Sequence, residues 1–448
     1  MLFNTVTYML FLPVVFAVYW AVKTKSSQNV VLLLASMVFY GWWSIPCLGL
    51  MVGTCVLNFL FVRSMQRSHS RKSWLTAALS LNFGVLGIFK YYNFFAENMA
   101  SLISSAGFHA DYPTLSIILP VGISFYTFQL SAYVIDCYRG NLQPTRSLVH
   151  FLTFVSFFPQ LVAGPIERGS NLLPQFAQKR TFCESEATEG MRLILWGLVK
   201  KMLIADNCAY QVDYIFSHYD SLSSLTLWLG ALYFTFQIYG DFSGYSDMAV
   251  GSARLFGIHI SQNFDRPYFA SSMQDFWRRW HITLMSWFRD YVYIPLGGNR
   301  KGKIRRQLNT VSVFLLSGLW HGAGWTFVFW GLYHAVVYRL STRILTFFAV
   351  MFGWVIFRAP DIHSCFGYFS RMFDPQAIGM SQCSRMPLLL ISLLMLIEWR
   401  MKRLPHPFGW KLTGWQSSQI VRITVYVAVF LATVVFGGEK TQFIYFQF

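Results

Sequence analysis

Apolar runs follow one another along almost the whole chain, near residues 6–22, 30–43, 47–62, 74–95, 115–138, 148–166, 190–206, 225–250, 308–330, 333–357, 386–398 and 420–437. A helix needs about 20 apolar residues to cross a bilayer core, and the runs reach or approach that length, several of them short or interrupted. Lipid cannot satisfy free backbone polar groups, so the pattern predicts an all-α, polytopic membrane protein built as a sealed helical bundle. With short loops and about 40 residues per span, the chain has room for about eleven transmembrane helices. Pro46 between two runs predicts a tight helical hairpin. The segment 148–176 carries Pro159, Pro165 and Pro174 and reads as a broken or re-entrant element. Such backbone is tolerated at membrane depth only where protein or a wet cavity covers it. No internal repeat and no separate soluble domain is visible, so the expectation is one domain over 1–448.

The cations lie between the runs rather than within them. Arg63, Arg67, Arg71 and Lys72 form one basic loop without acids, and Arg300, Lys301, Lys303, Arg305 and Arg306 form another. Both are expected in the cytoplasm by the positive-inside rule. Lys23 and Lys25 after the first run place that loop inside and the N-terminus outside, and residues 1–22 lack the basic start and small-residue cleavage pattern of a removable signal. The loops near 96–113 and 207–224 lie in stretches free of Lys and Arg, are expected outside, and are candidates for a partner surface. Arg339 and Arg343 sit inside an apolar run, so no parity is assigned after residue 333.

Composition agrees. Charged residues are 12% of the chain and hydrophobic ones 55%, against about 25% charged in a soluble globular protein. Disorder is excluded, because it requires low hydrophobicity. The net charge of +17 would suit nucleic acid if it formed one stripe. Its scatter through short loops argues instead for lipid headgroups, with an anionic cytoplasmic substrate as a second use of some of these cations. The seven cysteines are odd in number and contain no C-x-x-C, so neither a disulfide framework nor a metal site is expected.

Three places carry chemistry. Asp241, Ser243, Ser246 and Asp247 close an otherwise apolar run, and Ser243 and Asp247 are one helical turn apart. Hydrogen bonding between helices and a place in a substrate channel both fit this cluster. In Gln274–Leu296, Trp277, Trp280, Trp287 and Phe288 alternate with Arg278, Arg279 and Arg289, as in an amphipathic helix at a membrane surface. His281 follows Trp280 there; an interfacial histidine and a functional one are both open. The third place is SGLWHGAGW, Ser317–Trp325. His321 falls mid-way along the apolar pattern 308–330, so Ser317 and Trp325, four residues to either side, are expected on its helix face. Gly318, Gly322 and Gly324 would let a backbone or ligand come close. Burial favours the uncharged imidazole, which is the form a general base requires; a structural histidine bonded across helices is the alternative. No zinc-protease, phosphate-loop, nucleophile-elbow or dinucleotide motif is present.

Taken together, Met1–Pro13, LPVGISFYTFQ (Leu119–Gln129), FFPQLVAGPIER (Phe157–Arg168), DFSGYSDMA (Asp241–Ala249), FWRRWHITLMSWFRDYVYIPLGGNR (Phe276–Arg300), GLWHGAGWTFVFWG (Gly318–Gly331) and the terminal FIYFQF give the chain a resemblance to the membrane-bound O-acyltransferase (MBOAT) family, in its bacterial alginate O-acetylation branch. The likeness covers nearly the whole chain, with a core of about 115–360.

The resemblance implies about eleven spans and in-plane helices around a central funnel. It implies catalytic roles for His321, in the W-H-G motif, and His281, in R-x-W-H; Asp241, Ser243, Asp247, Ser317, Trp320 and Trp325 are candidates to line or support a substrate channel. It implies acetyl-CoA as donor substrate, reached from the cytoplasm, with no cofactor and no metal. Arg278, Arg279 and Arg300 are candidates to hold the CoA phosphates, and positive-inside anchoring explains them equally well. The branch implies a bacterial inner-membrane location and a periplasmic acetyltransferase partner that modifies alginate-like exopolysaccharide, cellulose or peptidoglycan. Teichoic-acid D-alanyl transfer and a non-enzymatic transporter or flippase are the alternatives.

Overall fold

In the computed structural model of the protein, residues 1–108, 119–401, 404–409, 418–439, 441 and 443–444 are described. The end of FIYFQF and residues 109–113 of the expected outer loop lie outside them. The described residues form helices of α, π and 3-10 type and no strand.

Local chemistry starts many of the helices. Thr5, Thr24, Ser44, Ser147, Ser223 and Ser272 each accept a hydrogen bond from a backbone N–H in the first turn, satisfying a donor that the helix cannot. Val6–Ala21, Lys25–Gly41, Ile45–Arg67, Arg71–Leu86 and Ile123–Arg139 follow the first five apolar runs. Ile45–Arg67 and the continuous helix Arg71–Ser105 are long and apolar enough to cross a membrane. Others are shorter, as in Trp325–Val337 and Gln419–Val435.

The axis of the fold is Ser224–Leu255, a 32-residue helix with most of its side chains buried, about 48 Å long at 1.5 Å per residue. The segment Glu184–Ala205, an α-helix that passes into a π-helix at Val199, packs along it. The two backbones meet at Gly197 and Gly244, where a Cβ on Gly197 would lie 2.5 Å from the Gly244 carbonyl oxygen. Small residues at such a crossing let helices approach closely in a membrane. The N-terminal helix is tied to the same axis by Tyr8 Oη and Ser252 Oγ at 2.7 Å, and by the Tyr19 hydroxyl donating to the Phe256 carbonyl at 2.9 Å.

The proline-rich segment is broken, as expected. It runs as Leu148–Ser156, Phe158–Leu161 and Gly169–Ala177, and residues 151–167 are nearly all buried. Its polar backbone is therefore covered by protein.

Two expectations are corrected. The runs 308–330 and 333–357 are three helices, Gly302–His321, Trp325–Val337 and Arg343–Arg358, because Gly322–Gly324 interrupt the first. His321 is thus the last residue of its helix, and Trp325 starts the next one instead of sharing its face. The reason is common to both. Apolar content measures burial, and helix ends are set by glycine geometry and by neighbours that periodicity does not register.

Candidate active site

Helices Gly302–His321 and Trp325–Val337 pack so closely that a Cβ on Gly318 would sit 2.1 Å from the Phe327 carbonyl oxygen. The expected close approach is therefore made by the chain's own backbone. His321 is held between the rings of Trp320, Trp330 and Phe357, at centroid distances of 5.0, 5.2 and 5.3 Å. Ser317 is buried one turn earlier on the same helix.

His281 sits at the break between Met273–Arg279 and Ile282–Phe288 with φ of 45°. A left-handed conformation is uncommon for a residue with a side chain, and the surroundings hold it there. Asn263 is the hub. Its Oδ1 lies 3.3 Å from His281 Nδ1 and accepts from the backbone N–H and the hydroxyl of Thr283 at 3.2 and 2.8 Å. Its carbonyl accepts from Ile282 N–H at 3.0 Å. Thr283 Oγ1 in turn accepts from Ile166 N–H at 3.0 Å, so the broken segment braces the histidine. Buried Glu167 ties that segment to Ser261 N–H and to Asn171. If Nδ1 donates to Asn263, Nε2 is the nitrogen with a lone pair.

The two histidines flank one indole. The Trp320 ring centroid is 5.8 Å from His281 and 5.0 Å from His321, and Phe125 and Phe128 cover it at 5.3 and 5.6 Å. His321 and Trp320 line a cavity of about 600 Å³ shared with Tyr40, Lys90, Ile123 and Phe125. An apolar cavity with a few convergent polar groups is the usual form of a small-molecule site.

The other sequence candidates are placed differently. Asp241 and Asp247 are ion-paired with Lys201 at 2.7 Å and Lys200 at 2.6 Å, and Ser243 is buried between them. They join two helices and do not line the cavity. Trp325 is 58% exposed, and its Nε1 donates to Asn98 Oδ1 at 2.8 Å. Arg279 pairs with Asp275 at 2.9 Å, while Arg278 and Arg300 are exposed.

The MBOAT, membrane-bound O-acyltransferase family pattern matches residues 142–360. "Probable alginate O-acetylase AlgI" of Azotobacter vinelandii is 40% identical over 384 residues, 82% of this chain and 76% of that protein. The chain belongs to the membrane-bound O-acyltransferase family. It is a membrane protein and an acyltransferase, which sets aside the transporter reading. The "Peptidoglycan O-acetyltransferase" of Helicobacter pylori is 37% identical over 437 residues, 86% of this chain and 82% of its own length. The "Teichoic acid D-alanyltransferase" of Bacillus subtilis is 27% identical over 292 residues, 56% of this chain and 72% of its own.

Sequence reading passed over Lys90, Asn263, Phe125 and Thr283. Phe125 and Thr283 lie inside motifs that were singled out for another reason, whereas Lys90 and Asn263 belong to the site only through contacts between separate segments of the chain.

Proposed function

We propose that this chain moves acetyl from cytoplasmic acetyl-CoA across the bacterial inner membrane for O-acetylation of an extracytoplasmic polysaccharide, of the alginate, cellulose or peptidoglycan kind, together with a periplasmic partner. About eleven spans with in-plane helices would surround the site. The observation that carries the reading is His321 at a cavity next to a second buried histidine, with Trp320 between them. The alginate and peptidoglycan O-acetyltransferases among its relatives support the acetyl group and the polymer class.

Placement by the positive-inside rule supports the direction. With the basic loops at 63–72 and 300–306 in the cytoplasm, the cavity residues Trp42, Trp43 and Leu119–Gly122 belong to the opposite side, which suits the acceptor. Arg278 and Arg300 belong to the cytoplasmic side and suit the CoA phosphates. In the transfer, His321 takes the proton of an acceptor hydroxyl as its oxygen attacks the thioester carbonyl. The C–S bond breaks, the proton passes to the departing thiolate, and ester and CoA-SH remain. His281, fixed by Asn263, orients the thioester.

Inverted membrane vesicles from the native host, which carry the partner, test this with [14C]acetyl-CoA on the cytoplasmic face. Label is expected in the polysaccharide or peptidoglycan fraction, and His321→Ala is expected to lower it at least 100-fold while the protein inserts normally. Full labelling by His321→Ala, or label found only as free acetyl-CoA inside the vesicles, would overturn the proposal. D-alanine in place of acetyl on the product would point to teichoic-acid-type transfer.

A further inference from the structure

We infer that Lys90, assisted by Tyr91, is the positioning residue that aims His321 into the cavity; this rests on the acyl-transfer reading above. His321 is the C-terminal residue of its helix, and the last carbonyls of any helix lack intrahelical partners. Here a different helix supplies them. Lys90 Nζ donates to the carbonyls of Trp320 at 2.7 Å and His321 at 2.8 Å, and the Tyr91 hydroxyl donates to Leu319 at 2.6 Å. Three consecutive carbonyls, ending at the histidine itself, are thus capped from a segment about 230 residues away in the chain.

Three further observations favour a role tied to the site over a generic cap. Lys90 and Tyr91 lie in the π-turn Gly87–Tyr91 that interrupts an otherwise continuous helix. One inserted residue turns the side chains that follow by about 100°, and such π-turns are frequent at functional sites. Lys90 lines the same cavity as Trp320 and His321, so its amine stands where the reaction would take place and not at a lipid-facing surface. Finally, Gly322–Gly324 follow His321 immediately and leave the chain without a continuing helix to hold the ring. The Lys90 amine and the Tyr91 phenol do this instead, fixing the backbone from which the imidazole projects.

The two residues touch backbone carbonyls, so the effect expected of their loss is on turnover and not on donor affinity. The same inverted vesicles with [14C]acetyl-CoA supply the measurement, normalised to inserted protein, alongside thermal unfolding of the purified full-length chain. Lys90→Met is expected to lower kcat at least 30-fold with KM for acetyl-CoA within twofold of wild type. Lys90→Arg, which can still donate to adjacent carbonyls, is expected to recover kcat to within about fivefold of wild type. Tyr91→Phe, which loses one hydroxyl and little volume, is expected to lower kcat three- to tenfold, and it serves as the test if Lys90→Met does not insert. Lys90→Met or Tyr91→Phe with kcat within twofold of wild type would overturn the inference. So would a loss that appears as raised KM alone, or a loss matched in size by Lys90→Arg. Wild-type vesicles that transfer no label would sink the underlying acyl-transfer reading, whereas His321-dependent transfer that is indifferent to Lys90 and Tyr91 would sink this inference only.

Discussion

Lys201 Nζ lies 2.7 Å from Asp241 Oδ1, with both side chains about 3% exposed. The same ammonium is 2.8 Å from Asp206 Oδ1. The two carboxylates reach onward to the C-terminal segment: Asp241 Oδ2 accepts from Ile444 N–H and Asp206 Oδ1 from the Thr441 hydroxyl, each at 2.7 Å. One buried cation and two acids thus clasp the end of the chain to its axis.

Removing one member of this cluster should cost far more than removing a surface pair. Asp241→Ala leaves Lys201 with half its compensation, and breaking a buried pair typically costs about 3–5 kcal/mol. The expected outcome is a lower unfolding temperature and faster proteolysis after residue 435. Lys201→Met combined with Asp241→Leu should be more stable than Lys201→Met alone, because it leaves one buried carboxylate without its cation instead of two. Thermal unfolding and limited proteolysis of the purified protein check both points. An Asp241→Ala protein as stable as wild type would show that the clasp contributes little.

Asn263 should matter nearly as much as the histidine it holds. Asn263→Ala removes the acceptor shared by His281 Nδ1 and Thr283, so turnover is expected to fall at least tenfold. Thr283→Val should fall less, because Asn263 still takes the backbone N–H. Labelling per inserted molecule ranks the variants, and the opposite order would contradict the hub role.

Trp320 and Trp325 should separate cleanly. Trp320→Ala removes the ring that lies against both histidines and is expected to abolish transfer. Trp325 is exposed and bonded to Asn98, so Trp325→Phe should keep transfer within twofold. Equal loss in both variants would mean that the break at Gly322–Gly324 does not remove Trp325 from the site.

Gly318→Ala should be poorly tolerated. Its Cβ would meet the Phe327 carbonyl, which belongs to backbone and cannot swing away. Overpacking of this kind costs about 1–3 kcal/mol and would shift the helix that ends at His321. Gly53→Ala, on a helix surface with open space, is the control and should not lower the unfolding temperature.

The sequence by itself was enough for the class of molecule and for the motifs. Runs of apolar side chains are a local property, and lipid leaves them few structural options, so the all-helical reading and the broken proline segment followed from composition and order alone. His281 and His321 were visible because each stands in a distinctive local string. Their meeting across Trp320 was not, since 40 residues separate them and no spacing rule links them. Only the tertiary structure decided that His321 ends its helix, that Asp241 and Asp247 are spent on Lys201 and Lys200, that Trp325 faces away, and that Lys90 caps the backbone beneath the imidazole. The physical reason is that a buried polar group must find a partner wherever the fold brings one. The choice of partner is made by packing between distant segments, which the order of residues along either segment does not encode.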